Sequence, residues 1–250
     1  MKKELIEIGH TNISYKTDHN TMQQTKVYNK FNHKVDYTQL SKLPFVPKLI
    51  KDTETEIEWE WIETQPLVFN NDTLKQIADN FKTLHDSNLQ FPKTNVAARV
   101  KEYRKILKER NIKIDVINDY YKRINLILKN SEANRPLHND LYLNNILLSK
   151  QGKIYFIDWE YCSMGDKHFD LAYFICGSFL TPEQEQYFLD QYDTYWEEYL
   201  IQQKILVYYL TILWDNAQEV KPFDDAYCIQ RLKETVAEYD YKKKNNLFRN

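Results

Sequence analysis

Three oxygen-bearing side chains fall at close spacing in PLHNDLYLNNILLSKQGKIYFIDWE, residues 136–160 of the chain. Asp140 ends an HND tripeptide, Asn145 follows in the next polar stretch, and Asp158 lies near the end of the segment. A carboxylate can orient and deprotonate an attacking hydroxyl, and oxygen ligands can hold Mg²⁺ on nucleotide phosphates. These residue types therefore suit phosphoryl transfer, with Asp140 as the base and Asn145 and Asp158 as Mg²⁺ ligands.

A predicted β-hairpin explains how the three side chains would meet. Residues 146–148 form an apolar run of strand length, and residues 154–157 form the returning strand. Gly152 predicts a turn between them, because glycine tolerates the positive φ that hairpin turns need. The hairpin would bring Asp158 back beside Asn145 and Asp140. Any one of these residues alone is more typical of a turn cap, so the interpretation depends on their joint spacing.

HNDLYLNNILL followed by IDWEYCSMGDKHFDLA resembles the choline/ethanolamine kinase and aminoglycoside phosphotransferase superfamily. In that pattern H-x-D-x-x-x-x-N precedes an apolar strand pair and a D-x-E or D-W-E motif, and F-D-L-A follows. The DWEY…FDLA form is most similar to bacterial LicA-type choline kinases, over about residues 136–173. The resemblance implies an α+β, bilobal protein-kinase-like fold. A small antiparallel-sheet lobe over residues 1–66 would bind the nucleotide, and a larger, mainly helical lobe over 67–250 would carry catalysis and substrate binding.

The resemblance also implies a phosphate-binding element near the N-terminus. GHTNISY matches the superfamily's G-x-T-N-x-x-Y pattern and points to Thr11 and Asn12 as ATP contacts. The glycine of this stretch is equally typical of an ordinary hairpin between two strands.

A basic residue on the next strand would pair with the α- and β-phosphates of ATP. Residues 24–31 alternate as a strand does, and Lys30 is the preferred candidate, with Lys26 and Lys34 as rivals. Asp36, on a short predicted helix ended by prolines, would be the acidic partner of that lysine. The resemblance to kinases is the source of both assignments.

The rest of the chain supplies the elements that would carry these residues. Residues 56–62 alternate as a half-buried strand, and the lobe boundary is expected near 64–68. From residue 71 onward the apolar spacing is helical. Helices are expected at 71–85, 95–109, 115–129, from 169, from 181, at 203–218 and at 224–241.

The acceptor expected from the resemblance is choline, with ethanolamine second. A quaternary ammonium donates no hydrogen bonds, so its site needs aromatic faces and nearby negative charge. Trp214, within LWDNAQE, and Tyr173, after FDLA, are the aromatic candidates, and Glu160 and Asp215 could supply charge. Core packing explains Trp214 equally well, and Glu160 could instead support the metal.

Composition limits the other classes of function. The chain has 250 residues, 42% hydrophobic and 28% charged, and a net charge of −2. It therefore shows no basic field suited to nucleic acid, and no apolar run long enough for membrane insertion. Three scattered cysteines favour a reducing cytoplasm over a disulfide framework or zinc site. The sequence carries no signal for an oligomeric state.

Together these observations predict ATP-dependent phosphorylation of a small-molecule hydroxyl, most simply that of choline. Two alternatives stay open. One is a kinase of the same fold acting on an aminoglycoside, thiamine or a sugar. The other is a catalytically inactive nucleotide-binding protein, which the poor glycine loop and the unclear lysine–acid pair would favour.

Overall fold

The N-terminal region is an antiparallel sheet. The computed structural model describes residues 3–6, 12–192 and 194–249, so Gly9 and Thr11 fall outside it. The strands pair in the order β1-β2-β3-β5-β4. Their bounds are β1 Lys3–Ile6, β2 Ile13–Thr17, β3 Thr21–Thr25, β4 Leu49–Asp52 and β5 Glu56–Glu60.

Alternation explains why β5 forms a strand in this sheet. Ile57 and Trp59 are buried, whereas Glu60 is exposed. Paired residues share a face, and β3 sets Gln24 opposite Ile57 and Met22 opposite Trp59. Successive side chains of a strand point to opposite faces, so β5 turns its apolar residues to one side and its glutamates to the other.

The strand predicted over residues 24–31 is wrong beyond its first residues, because β3 ends at Thr25. Asn12 and Asn29 explain the departure from the sheet. The side-chain oxygen of Asn12 accepts the N–H of Val27, and that of Asn29 accepts the N–H groups of Phe31 and Asn32. Asparagine side chains compete in this way with sheet hydrogen bonds and form turns.

The helix predicted near Asp36 is a single 3-10 helix, Tyr37–Lys42. Asp36 is its N-cap, and its carboxylate accepts the N–H of Thr38 at 3.0 Å. The two prolines that follow at 44 and 47 agree with its early end, because proline cannot continue a helix.

The predicted hairpin is confirmed. After the short strands β6 (Thr64–Gln65) and β7 (Arg135–Leu137), strands β8 (Ile146–Ser149) and β9 (Ile154–Phe156) pair antiparallel, and β6 pairs with β8. Gly152 has φ +81°, which explains the glycine in the turn. Phe156 packs against Phe45 and Phe81, with ring centroids 5.0 and 5.5 Å away. Strand β10 is Ser163–Gly165.

The remaining described chain is mainly helical. The helices are α1 Asn71–His85, α2 Val96–Glu109, α3 Asp115–Asp119, α4 Tyr121–Asn130, α5 Lys167–Gly177, α6 Pro182–Tyr192, α7 Glu197–Ala217 and α8 Ala226–Asn245. Each predicted helix is present, although the one expected over 115–129 is split in two. No helix of the described residues is long and apolar enough to span a bilayer.

Contacts divide the chain into two compact units that are discontinuous in sequence. The first contains residues 1–92, 136–163 and 180–193, and therefore holds the N-terminal sheet, the β8–β9 hairpin, and α1 packed on α6. The second contains residues 93–135, 164–179 and 194–250, with α7 packed against α2, α4, α5 and α8. The predicted division into a nucleotide-binding lobe, residues 1–66, and a catalytic lobe, residues 67–250, differs from these two units and stays a prediction.

Candidate active site

Hydrogen bonds join Asp140 to Asn145 at the start of the hairpin. The side-chain N–H₂ of Asn145 donates to the backbone carbonyl of Asp140 at 2.7 Å and to its Oδ2 at 3.3 Å. The backbone N–H of Asn145 donates to Tyr142, which closes a 3-10 turn over Leu143–Asn145. Because the amide nitrogen is used internally, the amide oxygen is the Asn145 atom suited to coordinate a cation.

Two further hydrogen bonds fix Asp158 relative to that turn. The N–H of Ile157 donates to the carbonyl of Asn145 at 3.0 Å, and Nε2 of buried His138 donates to the carbonyl of Ile157 at 2.9 Å. Asp158 itself has φ +64° and ψ +59°, a left-handed conformation that costs energy for a residue with a β-carbon. The chain thus turns sharply where the returning strand ends, and the predicted meeting of Asp140, Asn145 and Asp158 follows from that turn.

Asp158 lies in a buried, negatively charged setting. Burial raises its pKa well above the usual range, and the charges of Glu160 and Asp140 raise it further, while a hydrogen bond with Asn12 acts in the opposite direction. A carboxyl group pushed toward its neutral form by other carboxylates would be restored to its anion by a bound cation.

The donor set is of the kind that Mg²⁺ accepts. Mg²⁺ prefers oxygen ligands, and in nucleotide sites it takes only one or two from the protein, with phosphates and water supplying the rest. The carboxylate of Asp158 and the amide oxygen of Asn145 fit that requirement. Among the described residues, no group of three or more His, Cys, Asp or Glu side chains forms a complete metal cage. Two protein oxygens, one from Asp158 and one from Asn145, suit a metal that also binds nucleotide phosphates.

Glu160 is buried and held by side chains of the N-terminal region. Its Oε2 accepts hydrogen bonds from Asn12 at 3.0 Å and Asn32 at 2.8 Å, and pairs with Nε2 of His33 at 3.0 Å. Only 3% of Glu160 is exposed. In this structure its carboxylate is therefore bound to neutral donors and to a histidine.

Of the predicted ATP contacts, Asn12 lies beside acidic residues of the candidate site and Lys30 lies in an exposed turn. Asn12 lies beside Glu160 and Asp158, whereas Thr11 is not among the described residues. Lys30 is exposed in the turn after β3, so it does not lie on a strand as expected. The rival Lys26 is bound to Asp52 and to the carbonyl of Thr53 at 2.7 Å. Hydrogen bonds from Thr38 lower the pKa of Asp36, consistent with its role as a helix cap.

The predicted acceptor-binding aromatics lie in the second compact unit. Tyr173 is half-buried on α5, with its ring 5.9 Å from that of Phe169. Trp214 is half-buried near the end of α7 and stacks on Phe223 at 6.3 Å, with the ring planes 29° apart. Trp214 is not one of the fully buried side chains of α7.

Asp215, the other acidic candidate, is fully buried and already has partners. Burial raises its pKa, while the N–H of Phe223 donates to Oδ1 at 3.2 Å and Lys221 lies 3.4 Å from Oδ2. Much of its negative charge is therefore offset by a lysine of the same chain.

Sequence analysis missed Asn32 and His33. Both lie in a polar run between a strand and a 3-10 helix, and nothing local distinguishes them from other turn residues. No local signal in the sequence could have found them, because Glu160, which they contact, lies 128 residues from Asn32 along the chain.

The fold and the hairpin define the class of protein. The chain has the protein-kinase-like α+β fold shared by choline kinases and aminoglycoside phosphotransferases. It aligns with the choline kinase LicA of Streptococcus pneumoniae with a TM-score of 0.74 and 23% identity, over 94% of each chain. It also aligns with spectinomycin phosphotransferase APH(9)-Ia, whose structure holds ADP and spectinomycin, with a TM-score of 0.63 and 14% identity, over 93% of this chain and 88% of that one.

Sequence comparison gives the family. The choline/ethanolamine kinase profile matches residues 19–244, and this chain belongs to that family. A LicA homologue from Metamycoplasma hominis is 44% identical over 249 residues, which is 97% of this chain and all of the relative.

Proposed function

We propose that the protein transfers the γ-phosphoryl group of ATP to the hydroxyl of choline. The observation that carries the proposal is the hydrogen-bonded arrangement of Asp140, Asn145 and the hairpin end at Asp158. Membership of a family of small-molecule kinases supports the reaction class, and the LicA homologues support choline as the acceptor.

In the proposed reaction Asp140 binds and orients the acceptor hydroxyl. The hydroxyl oxygen forms a bond to the γ-phosphorus, the bond from that phosphorus to the bridging oxygen breaks, and ADP leaves. The hydroxyl proton passes to the Asp140 carboxylate. The hydrogen bond from Asn145 to Asp140 holds the carboxylate in place without protonating it.

Asn145 and Asp158 are the proposed Mg²⁺ ligands. When bound, Mg²⁺ would neutralise charge on the transferring phosphates. Asp158 adopts a left-handed backbone conformation. The direction of its side chain is therefore not set by the strand alternation of the residues before it. Glu160 keeps a supporting role in this proposal, because its Oε2 already accepts three donors.

Phosphate contacts are proposed for Lys30, Thr11 and Asn12. Lys30 is exposed in the turn after β3, and Lys26, its rival, binds Asp52 and the carbonyl of Thr53. Asp36 is proposed to pair with Lys30, and the same carboxylate caps the 3-10 helix by accepting the N–H and the hydroxyl of Thr38.

Choline binding is proposed for Trp214 and Tyr173. Both rings are half-buried, as a ring that both packs and contacts a ligand would be. Each cation–π contact would contribute about 0.5–2 kcal/mol. Lys221 beside Asp215 makes Asp215 a less effective counter-charge than the sequence suggests.

A cytoplasmic location without a nucleic-acid partner completes the proposal. All three cysteines are free, which supports a reducing compartment. The net charge of −2 supports the absence of nucleic-acid binding.

An ADP-release assay over a panel of acceptors tests the function. Choline, ethanolamine, thiamine, spectinomycin and a sugar are offered at equal concentration with ATP and Mg²⁺, and kcat/KM is compared. We expect choline to give the highest value. A higher value for spectinomycin or thiamine would assign the site to that acceptor, and nucleotide binding without turnover of any acceptor would show an inactive kinase-like protein.

A further inference from the structure

Asn12, Asn32 and His33 surround the carboxylate of Glu160 in the first compact unit. These three residues are called here the Glu160 clasp. All three donate to the same carboxylate oxygen, Oε2, over 2.8–3.0 Å. The side chains of His33 and Glu160 are 1% and 2% exposed, so the pair is sealed from water. Buried charges need such complete hydrogen bonding to be tolerated.

The hydrogen bonds determine where the ring of His33 carries its proton. Nε2 lies 3.0 Å from Glu160 Oε2 and 3.0 Å from Oδ1 of Asn12, and both atoms are acceptors. Nε2 must therefore be the protonated nitrogen. Nδ1 lies 2.7 Å from the hydroxyl of Tyr37, which can donate to it or accept from it. The contact with Glu160 is kept in either case, so the clasp does not need His33 to be charged.

Two further hydrogen bonds, one of them between backbone groups, join the segment of residues 29–33 to Glu160 and Tyr161. The N–H of His33 donates to the carbonyl of Glu160 at 2.8 Å, and Nδ2 of Asn29 donates to the hydroxyl of Tyr161 at 3.0 Å. His33 has φ +51° and Asp158 has φ +64°, so each of the two segments contains a residue in the left-handed region. Such conformations persist where surrounding contacts hold them, and they concentrate at functional sites.

We propose that His33 is a positioning residue, which acts through Glu160 to hold the turn of residues 158–161 and thereby the carboxylate of Asp158. The inference rests on the proposed role of Asp158 in binding Mg²⁺ with the nucleotide. The charges of Glu160 and Asp140 both act on Asp158. Three donors hold the carboxylate of Glu160, two residues further along the same turn, in one position.

The test compares His33→Leu with His85→Leu. His85 is a matched control, because it is a buried histidine of the same unit whose Nδ1 also meets a tyrosine hydroxyl, that of Tyr192 at 2.9 Å. Two quantities are measured: the Mg²⁺ concentration that half-saturates ATP binding, and hydrogen–deuterium exchange of peptides covering residues 157–163 without metal or nucleotide. Removing a partner that orients a metal ligand typically costs about 10–100-fold in metal affinity.

We expect His33→Leu to raise the half-saturating Mg²⁺ concentration about tenfold or more and to speed hydrogen–deuterium exchange in residues 157–163. His85→Leu should lower thermal stability and leave both of these quantities unchanged. His33→Gln, which keeps a donor toward Glu160, should recover part of both losses. Equal effects of the two leucine variants on both readouts would show that His33 is only structural and would overturn the proposal.

A second variant covers the case in which His33→Leu does not fold. Asn32→Asp is nearly isosteric, but it replaces the donor that lies 2.8 Å from Glu160 by a carboxylate. It should change both readouts in the same direction as His33→Leu, and wild-type values of both would contradict the proposal. The exchange measurement needs neither acceptor nor turnover. A protein that phosphorylates no acceptor would thus refute the proposed function and still leave the clasp to be judged by exchange.

Discussion

At the residue scale, Asp140 and Asn145 form a unit in which one side chain orients the other. The amide of Asn145 holds both the backbone and the carboxylate of Asp140. The proposed roles of Asp140 as base and Asn145 as metal ligand are therefore geometrically dependent on one another. Single substitutions separate these roles best when binding and turnover are measured independently.

Asp140→Asn is expected to lower kcat by roughly 10²–10⁴-fold, because the variant loses its general base while keeping the shape of the side chain. ATP affinity should change little. Steady-state kinetics and direct nucleotide binding check this, with Asp79→Asn as the control, since Asp79 lies on α1 and its carboxylate pairs with Lys75. A variant within a few-fold of wild type would remove Asp140 from the role of base.

Asp158→Ala is expected to abolish Mg²⁺-dependent ATP turnover, since the carboxylate is one of the few protein ligands such a metal needs. Turnover is measured over a wide range of Mg²⁺ concentration. If activity survives and merely requires more metal, Glu160 is the better candidate for the ligand.

Trp214→Ala is expected to raise the KM for choline severalfold, because the lost ring would remove a cation–π contact of about 0.5–2 kcal/mol. ATP affinity and thermal stability should stay nearly unchanged, since the ring is only half-buried. Trp196→Ala is the control, as that ring is 54% exposed. Loss of about 3–5 kcal/mol of stability with unchanged KM would show that Trp214 is a core residue.

At the element scale, α8 is attached to the start of α7 by ion pairs in the second unit. Lys242 binds Glu197, Lys243 binds Glu198, and the hydroxyl of Tyr239 donates to Glu198 at 2.9 Å. Burial acts to raise the pKa of Glu197, but the hydrogen bonds from Lys242 and from the N–H of Arg249, together with the positive charges of both residues, outweigh it, so the pKa is lowered. The same balance lowers the pKa of Glu198. These contacts link two helices that also pack through apolar side chains.

The lowered pKa values predict an acid-sensitive end of α8. A carboxylate with a depressed folded-state pKa stabilises the fold above the unfolded value of about 4.3, and that contribution is lost as pH falls through the folded-state value. We expect the protection of amides in the last turns of α8, corrected for the intrinsic exchange rate, to fall as pH drops below about 4.3. Lys242→Met should weaken this dependence, and Lys244→Met, which changes an exposed lysine of the same turn, should not. A pH dependence identical in all three proteins would contradict this account.

At the scale of the whole molecule, α7 is the central helix of the second unit, since α2, α4, α5 and α8 all pack on it. Leu213 is completely buried there. Leu213→Ala is therefore expected to lower the free energy of unfolding by about 2–5 kcal/mol, measured by urea denaturation. Leu126→Ala, at a leucine of α4 that is 59% exposed, should change it far less. Equal losses would show that burial on α7 does not dominate the stability of this unit.

Several predictions from the sequence hold because their causes are local. The hairpin follows from two apolar runs and a glycine with φ +81°, and the helices of the second half follow from apolar spacing. The failures are also physical. Asparagine side chains end β3 at Thr25, short of the strand predicted over residues 24–31, and the short helix predicted near Asp36 is a 3-10 helix that Asp36 caps.

The sequence by itself determined the family, the hairpin and the grouping of Asp140, Asn145 and Asp158, because all three lie within one continuous segment whose local pattern sets their spacing. Only the tertiary structure decided what surrounds Glu160. Asn12 is 148 residues away and Asn32 is 128 residues away along the chain. Contacts over such separations depend on how the N-terminal sheet and the hairpin pack in the first unit, and a single sequence carries no periodic or local signal of that packing.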